Sequence, residues 1–320
     1  MKKKQLGHSG IEVPLLCLGG NVFGWTADEQ RSFELLDALM ESGLNFVDTA
    51  DTYSHWAPGN HGGESETIIG RWFKARGNRG KVILATKVGM AMGEGKKGLS
   101  RDYIRQAVEE SLKRLQTDYI DLYQSHRDDE STPQEETLGI YAELIQEGKV
   151  RAIGASSFTA ERLKSALEIS RKHKLPRYEA LQPEYNLYTR TGYEGAVEGV
   201  CVTHKLGVIS YFSLASGFLS GKYRSTEEAA SRPRAGMLKR YFNERGMRIL
   251  ESLGKVAREV NTGSAQVALA WLMARPSITA PIASATTLEQ LHKLVEATQL
   301  ILPQGAIEEL NRASAETVAA

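Results

Sequence analysis

Asn45-Phe46-Val47-Asp48-Thr49-Ala50-Asp51-Thr52-Tyr53 begins as a strand and ends as a loop. Phe46 and Val47 are its apolar end, with Gly43 before them and turn-forming residues after. Asp48 falls where the strand stops, and Tyr53 follows in the loop. A carboxylate at the C-terminal end of a strand, with a phenol close by, is a usual place for chemistry in a repeating strand-helix fold. Taken alone, a capping Asp and a surface Tyr would explain the pattern equally well.

The flanks of this stretch define the repeat. Before it, Phe33, Leu36, Leu39 and Met40 form one face of a helix that Thr26 or Asp28 can cap and that Gly43 ends. After it come a helix over 65–74 and a strand over 81–87, which ends in Lys87. The unit then recurs. Ser100 caps a helix with Ile104, Val108, Leu112 and Leu115 in register, and a strand over 119–123 leads to His126. Pro133 opens a helix that Gly148 stops, followed by a strand over 150–155, a helix over 159–173 and a strand ending in Gln182. A helix reaching His204 leads to a strand over 208–212. Residues 221–240 read as a long mobile loop. Helices ending with 264–274, a strand over 278–282, a helix from Leu288 and a last one over 304–312 complete the chain. At the start, residues 2–13 read as a hairpin with its turn at 7–10, and Val13–Leu18 as a buried strand.

Eight strands alternating with helices imply a parallel sheet, and eight units suit a closed (β/α)8 TIM barrel, with an N-terminal β-hairpin and extra C-terminal helices. The whole chain, 1–320, reads as a single domain. A doubly wound sheet would show a glycine fingerprint in its first strand-helix turn; Gly19-Gly20-Asn21-Val22-Phe23-Gly24 lacks that spacing.

The totals narrow the functional classes. The 320 residues suffice for a full core, and 25% charged with 41% apolar is ordinary for a globular protein. A formal net charge of +1 argues for neither nucleic acid nor an anionic membrane as partner. Lys2-Lys3-Lys4 precedes no apolar segment of the signal-peptide kind, and no apolar stretch is long enough to span a bilayer. Cys17 and Cys201 make neither a disulfide framework nor a thiol metal site, so the expected compartment is the cytoplasm. His55, His61 and Glu64 lie in a Gly- and Pro-rich loop without rigid spacing, and no metal is expected.

Asp48, Tyr53, Lys87 and His126 follow the ends of three consecutive strands, which a barrel brings to one face. Their chemistry is coherent. A phenol with a reference pKa of about 10 is a poor acid near neutrality. A Lys ammonium beside it is expected to lower that value, and Asp48 can supply the counter-charge a buried Lys needs. A His can orient a carbonyl oxygen. Together they suit proton donation to a carbonyl that receives a hydride.

With these residues in place, the chain resembles the aldo-keto reductase superfamily over nearly its whole length. The resemblance rests on Gly43–Ala50 with Tyr53, on Ala85-Thr86-Lys87, and on Glu110–Leu115 leading into Asp118–Tyr123 and His126. It continues through Ile153–Ser156, Gln182–Asn186, Tyr211–Ala215 with Gly217, and Ser220–Tyr223. It implies a nicotinamide cofactor across the barrel mouth, Tyr53 as general acid, Lys87 and Asp48 as its tuning pair, and His126 as the carbonyl orienter. It further implies carboxamide contacts from Ser156, Ser157 and Gln182, and Tyr211 stacked on the nicotinamide. Ser213, Leu214, Gly217, Gly221 and Lys222 would form a pyrophosphate loop.

Two departures stand out. The family often carries Ser-Asn where this chain has Ser156-Ser157. Relatives that use NADPH usually place an Arg or Lys within the stretch matching 283–290, and here none occurs before Lys293. Ser284, Thr286, Gln290 and Lys293 are left as candidates for the 2′-phosphate, and NADP(H) is favoured narrowly over NAD(H). On the substrate side, Trp25, His55, Trp56 and Arg127 are candidates, and the segment 54–63 is expected to narrow access. The resemblance implies reduction of an aldehyde or ketone, or the reverse reaction as an alcohol or sugar dehydrogenase. It also admits a cofactor-binding regulator resembling the β subunits of potassium channels.

Overall fold

The structure is a computed structural model, and it describes residues 2–93, 95–223, 225–230 and 235–316. Its elements run β1 (Lys3–Gln5), β2 (Glu12–Pro14), β3 (Cys17–Gly19), α1 (Glu29–Glu41), β4 (Phe46–Asp48), α2 (Glu64–Arg76), β5 (Ile83–Val88), α3 (Arg101–Leu115), β6 (Ile120–Ser125), α4 (Gln134–Gln146), β7 (Val150–Ser156), α5 (Ala160–His173), β8 (Tyr178–Gln182), α6 (Ala196–Thr203), β9 (Gly207–Val208), α7 (Thr226–Ala229), α8 (Ala235–Leu238), α9 (Glu244–Glu259), α10 (Ser264–Met273), β10 (Ile282–Ala283), α11 (Leu288–Ala297) and α12 (Gln304–Ser314). β1 and β2 form an antiparallel hairpin. The other eight strands form one parallel sheet in the order β10-β3-β4-β5-β6-β7-β8-β9.

The curled sheet is closed by single hydrogen bonds rather than by a ladder. Thr279 and Ala280 both donate to the carbonyl of Val208, at 2.8 and 3.1 Å, and Ile282 donates to Ser210 at 2.8 Å. The expected strands over 208–212 and 278–282 are thereby corrected to β9 and β10, each of two residues. Pro281 brings no N–H to this seam, which limits regular pairing. Phe212, at φ +52°, ends the extended run on the other side. The expected strand over 13–18 is likewise two pieces: Glu12–Pro14 belongs to the hairpin, and the barrel strand starts at Cys17.

Side chains alternate across the barrel wall with period two. Val47, Leu84, Tyr123, Ile153 and Leu181 face outward and pack against the helices in the large core. Cys17, Phe46, Ala85, Leu122, Ala152, Ala180, Ile209 and Ala280 face inward and fill the barrel. Leu6 and Val13 of the hairpin join this inner cluster and close the floor. A Cβ on Gly207 would meet Leu6 at 2.5 Å, so glycine is what lets the hairpin seat against β9.

Helix starts follow the expected caps. Asp28, rather than Thr26, accepts from the Arg31 N–H, Ser100 caps α3, and Thr159, expected as the first helical residue, is the cap of α5. Gly43 and Gly148 sit in left-handed conformation after α1 and α4, the backbone geometry glycine adopts without strain. The expected loop over 221–240 contains α7 and α8; residues 224 and 231–234 lie outside the described residues. Among the described residues, no helix is long and apolar enough to cross a membrane.

Candidate active site

Two residues beyond the inner apolar layer, towards the C-terminal ends of the strands, the barrel interior turns polar. Phe46 is followed by Asp48, Ala85 by Lys87, Leu122 by Gln124 and Ala180 by Gln182. The parallel register sets Lys87 beside Gln124 and Ser156 beside Gln182. All these side chains are almost wholly buried, so their polar atoms must find one another.

They do. Lys87 Nζ donates to Asp48 Oδ2 at 2.7 Å, to the Thr49 carbonyl at 2.8 Å and to the Tyr53 hydroxyl at 2.7 Å. That uses all three protons of the ammonium. Tyr53 in turn donates to Asp48 Oδ2 at 3.1 Å. The other carboxylate oxygen, Oδ1, accepts from Gln182 at 3.0 Å and from Gln124 at 3.3 Å, and Gln182 also donates to Gln124 at 3.2 Å. A buried ion pair is tolerable when its remaining hydrogen-bonding capacity is met in this way.

Tyr53 is the half-buried member that reaches the cleft above. Its phenol is held well above its ordinary pKa, first by burial and then by the Asp48 carboxylate. The expectation that Lys87 lowers this value is therefore not met: desolvation and the Asp48 charge outweigh the ammonium. The consequence is a phenol that keeps its proton at neutral pH. His126 follows β6, with its ring centroid 6.0 Å from that of Tyr53. Burial, then the charges of Lys87 and Arg127, push its imidazole well below the ordinary value, so it is neutral. Its Nδ1 is buried without a hydrogen-bond partner. We assign the proton to Nε2 on that ground.

The cleft has a volume of about 1040 Å³. Of the residues expected at the cofactor site, Ser156, Ser157, Gln182, Tyr211, Ser213, Leu214, Gly217, Lys222, Ser284, Thr286, Gln290 and Lys293 line it; Gly221 does not. Asp48 and Lys87 lie behind Tyr53 rather than in the lining. The Tyr211 hydroxyl is 3.3 Å from Ser157 Oγ. Phe212, Ala215 and Ser216 all have positive φ, an uncommon conformation for side chains with a Cβ. With Gly217 they make a tight backbone cradle, and Lys222 stands so close that a Cβ on Gly217 would lie 3.7 Å from its Cε. Such concavities suit phosphate oxygens.

At the far end of the cleft, sequence reasoning found Ser284, Thr286, Gln290 and Lys293 but missed Ser264, Gln266, Thr287 and Glu289. Ser264 and Gln266 in the first turn of α10, and Thr287, Glu289 and Gln290 at the start of α11, line it together. Two helix N-termini thus face one volume, which favours an anion. Glu289 opposes this, and it holds Lys293 at 2.6 Å. Gln290 Oε1 already accepts from the Thr286 N–H and hydroxyl. Gln124 was also missed, and its position two residues after inward-facing Leu122 was the available signal.

On the substrate side, Trp56 and Arg127 line the cleft, while Trp25 and His55 do not. These two support Trp56 from behind, with ring centroids at 5.7 and 5.4 Å. Among the described residues, no group of three or more His, Cys, Asp or Glu side chains is placed to hold a metal ion.

A sequence model of the Aldo/keto reductase family matches residues 15–315. This chain belongs to the aldo/keto reductase family. It is 36% identical to an uncharacterized oxidoreductase, YrpG, of Bacillus subtilis, over 97% of this chain and 95% of that protein. It is 32% identical to a probable voltage-gated potassium channel subunit beta of Oryza sativa (94% and 92% covered). It is 31% identical to the L-glyceraldehyde 3-phosphate reductase of Escherichia coli (93% and 87% covered). The protein is an oxidoreductase of this family, in which small carbonyl compounds are the substrates.

Proposed function

We propose that this protein reduces an aldehyde or ketone to an alcohol with a nicotinamide cofactor, and that Tyr53 is the proton donor. The observation that carries this is the contact of Tyr53 with both Lys87 and Asp48 at the floor of the cleft, beside a neutral His126. The bound cofactor supplies the hydride that the carbonyl carbon accepts. Tyr53 gives its proton to the carbonyl oxygen as the C=O bond becomes C–O. Lys87 stabilises the phenolate left behind, and solvent restores the proton. His126 donates from Nε2 to the carbonyl oxygen and fixes its position. Asp48 holds Lys87 in place, with Gln124 and Gln182 holding its far oxygen. Run backwards, with an oxidised nicotinamide accepting the hydride and Tyr53 as phenolate accepting the hydroxyl proton, the same site would oxidise an alcohol or a sugar.

We assign Tyr211, Ser156, Ser157 and Gln182 to the nicotinamide end, and 213–222 to the pyrophosphate. NADPH is the proposed donor, with its 2′-phosphate between Ser284, Thr286, Gln290 and Lys293. The whole chain acts as one domain in the cytoplasm on a small molecule, without nucleic acid or membrane as partner. Titration with NADPH and NADH, followed by tryptophan fluorescence, tests the cofactor. NADPH should bind more tightly, and Glu289→Gln should tighten it further by releasing Lys293; equal affinity for both cofactors would overturn the preference. Turnover on a panel of aldehydes, followed by nicotinamide absorbance, tests the reaction. Relatives named as potassium channel subunits support a second reading, a cofactor-binding regulator. Tight cofactor binding without turnover on any carbonyl would favour it.

A further inference from the structure

Among the described residues, the Lys and Arg side chains that line the cleft are Arg127, Lys222 and Lys293. Lys293 is paired with Glu289. Lys222 sits in the 213–222 loop beside Gly217, far from His126 in the chain and assigned above to the cofactor. Arg127 directly follows His126, and no described residue hydrogen-bonds to its guanidinium or pairs with it. That is not for want of carboxylates. Asp128 is next in the chain, but Arg162 holds both its oxygens, at 2.6 and 2.9 Å. Asp129 accepts from the Leu99 N–H and from Ser131 and Thr132. Both neighbours of opposite charge are thus drawn away from Arg127. Its charge reaches the site, since it helps depress His126 and also acts on Tyr211. Val22, Trp56 and Met90 are among the other lining residues, and among the described residues the one carboxylate that lines the cleft is Glu289, on α11.

We propose that Arg127 makes this site selective for carbonyl substrates that carry an oxyanion, a carboxylate or a phosphate, which its guanidinium binds while the carbonyl lies at Tyr53 and His126. A planar fork with two parallel N–H donors matches either group. The proposal rests on the carbonyl-reduction reading for its kinetic form, but not for its binding form.

The test compares charged and neutral twins: succinic semialdehyde with butanal, and dihydroxyacetone phosphate with dihydroxyacetone. The wild-type enzyme is expected to prefer the charged member of at least one pair, and which pair responds identifies carboxylate or phosphate. In Arg127→Ala the charged-to-neutral ratio of kcat/KM should fall by about tenfold to a hundredfold, mostly through KM, and Arg127→Lys should recover part of it. Equal use of both twins by the wild type, or an unchanged ratio in Arg127→Ala, overturns the proposal. Calorimetric titration of the NADP+-loaded and the free protein with succinate and with glycerol 3-phosphate decides the matter without turnover. If no carbonyl is reduced, the reductase reading fails alone. Anion binding lost in Arg127→Ala would still sustain the role of Arg127, and binding that is absent in the wild type or equal in both would end it.

Discussion

Asp48 and Asp51 are three residues apart and both buried, yet their surroundings are opposite. Asp48 faces into the barrel, where Lys87, Tyr53, Gln124 and Gln182 supply a hydrogen bond to every side of its carboxylate. Asp51 lies between the barrel wall and the helices. Neither of its oxygens makes a well-formed hydrogen bond, and the Thr52 N–H beside it favours the carboxylate only weakly. Burial, then the Glu66 carboxylate, raises its pKa to about 8, and Arg114 opposes this only in part because it is paired with Glu66 at 2.7 Å. The difference teaches where function can sit in this fold. Inside the strand ends, inward positions from several strands converge, and a charge meets partners from all of them. Outside the wall, the charged groups nearest Asp51 are already satisfied by each other, so its own charge is a liability to stability.

The largest expected effect lies on the Asp48 side. Tyr53→Phe removes the proton donor while leaving the ring that packs in the cleft, and should lower kcat by about 10² to 10⁴-fold with cofactor affinity nearly kept. Steady-state rates and cofactor titration on one preparation check this. Retention of full turnover would falsify the role of Tyr53 as the acid. Next in size, Asp48→Ala strands a fully buried ammonium. The loss of stability should be about 3–5 kcal/mol, read by urea denaturation at neutral pH. If Asp48→Ala were no more costly than Asp51→Asn, the contrast between the two carboxylates would collapse.

How much of this was legible in the sequence follows the same division. The strand ends were readable because period-two alternation and a closing Gly or cap bracket each unit, and the four residues at the centre fell where strands stop. The short seam between β9 and β10 was not readable from the apolar runs, because Pro281 and the left-handed Phe212 interrupt pairing in ways that hydrophobicity does not register. Gln124 was missed since the strand was ended at Tyr123, although alternation from Leu122 places it inward. Ser264 and Gln266 carry no local signal at all. Their role depends on α10 and α11 pointing their first turns at the same volume, which is a tertiary fact. Trp25 and His55 are candidates in the sequence because they lie on loops over the barrel mouth, and instead they brace Trp56 from outside the lining. The phenol of Tyr53 shows the reverse case: its neighbours were legible, but the degree of burial that decides its pKa was not.

Asp51 allows a pH test of the comparison. Its pKa is about 8 in the folded protein against an ordinary 3.8. The native state therefore holds a proton that the unfolded chain has released between these values. Stability from this group is complete below about pH 4 and is lost as pH rises towards about 8, at up to about 1.4 kcal/mol per pH unit. Asp51→Asn removes this dependence. The variant should gain on the wild type by about 2 kcal/mol between about pH 6 and about pH 8, measured by urea denaturation at both ends. Parallel pH profiles for the two proteins would mean that Asp51 is solvated or paired in solution.

The smallest effect sharpens the Asp48 side. Gln124 donates to Asp48 Oδ1 at 3.3 Å, the longest of its contacts, while Gln182 reaches the same oxygen at 3.0 Å. A Cβ on Gly154 would touch Gln124 Cγ at 3.0 Å, so Gln124 packs closely against the Gly154 backbone of β7. Gln124→Leu keeps the volume and removes the amide. It deprives Asp48 of one donor of four and leaves Gln182 without its second acceptor. The expected cost is about 1 kcal/mol in stability, with a change in kcat of only about fivefold or less, because Lys87 and Tyr53 keep their contacts. Denaturation midpoints and kcat measured together check this. A cost as large as that of Asp48→Ala would mean the amide layer, and not the ion pair, holds the carboxylate in place. No cost at all would mean that Gln182 alone suffices, and that the polar layer carries more donors than Asp48 requires.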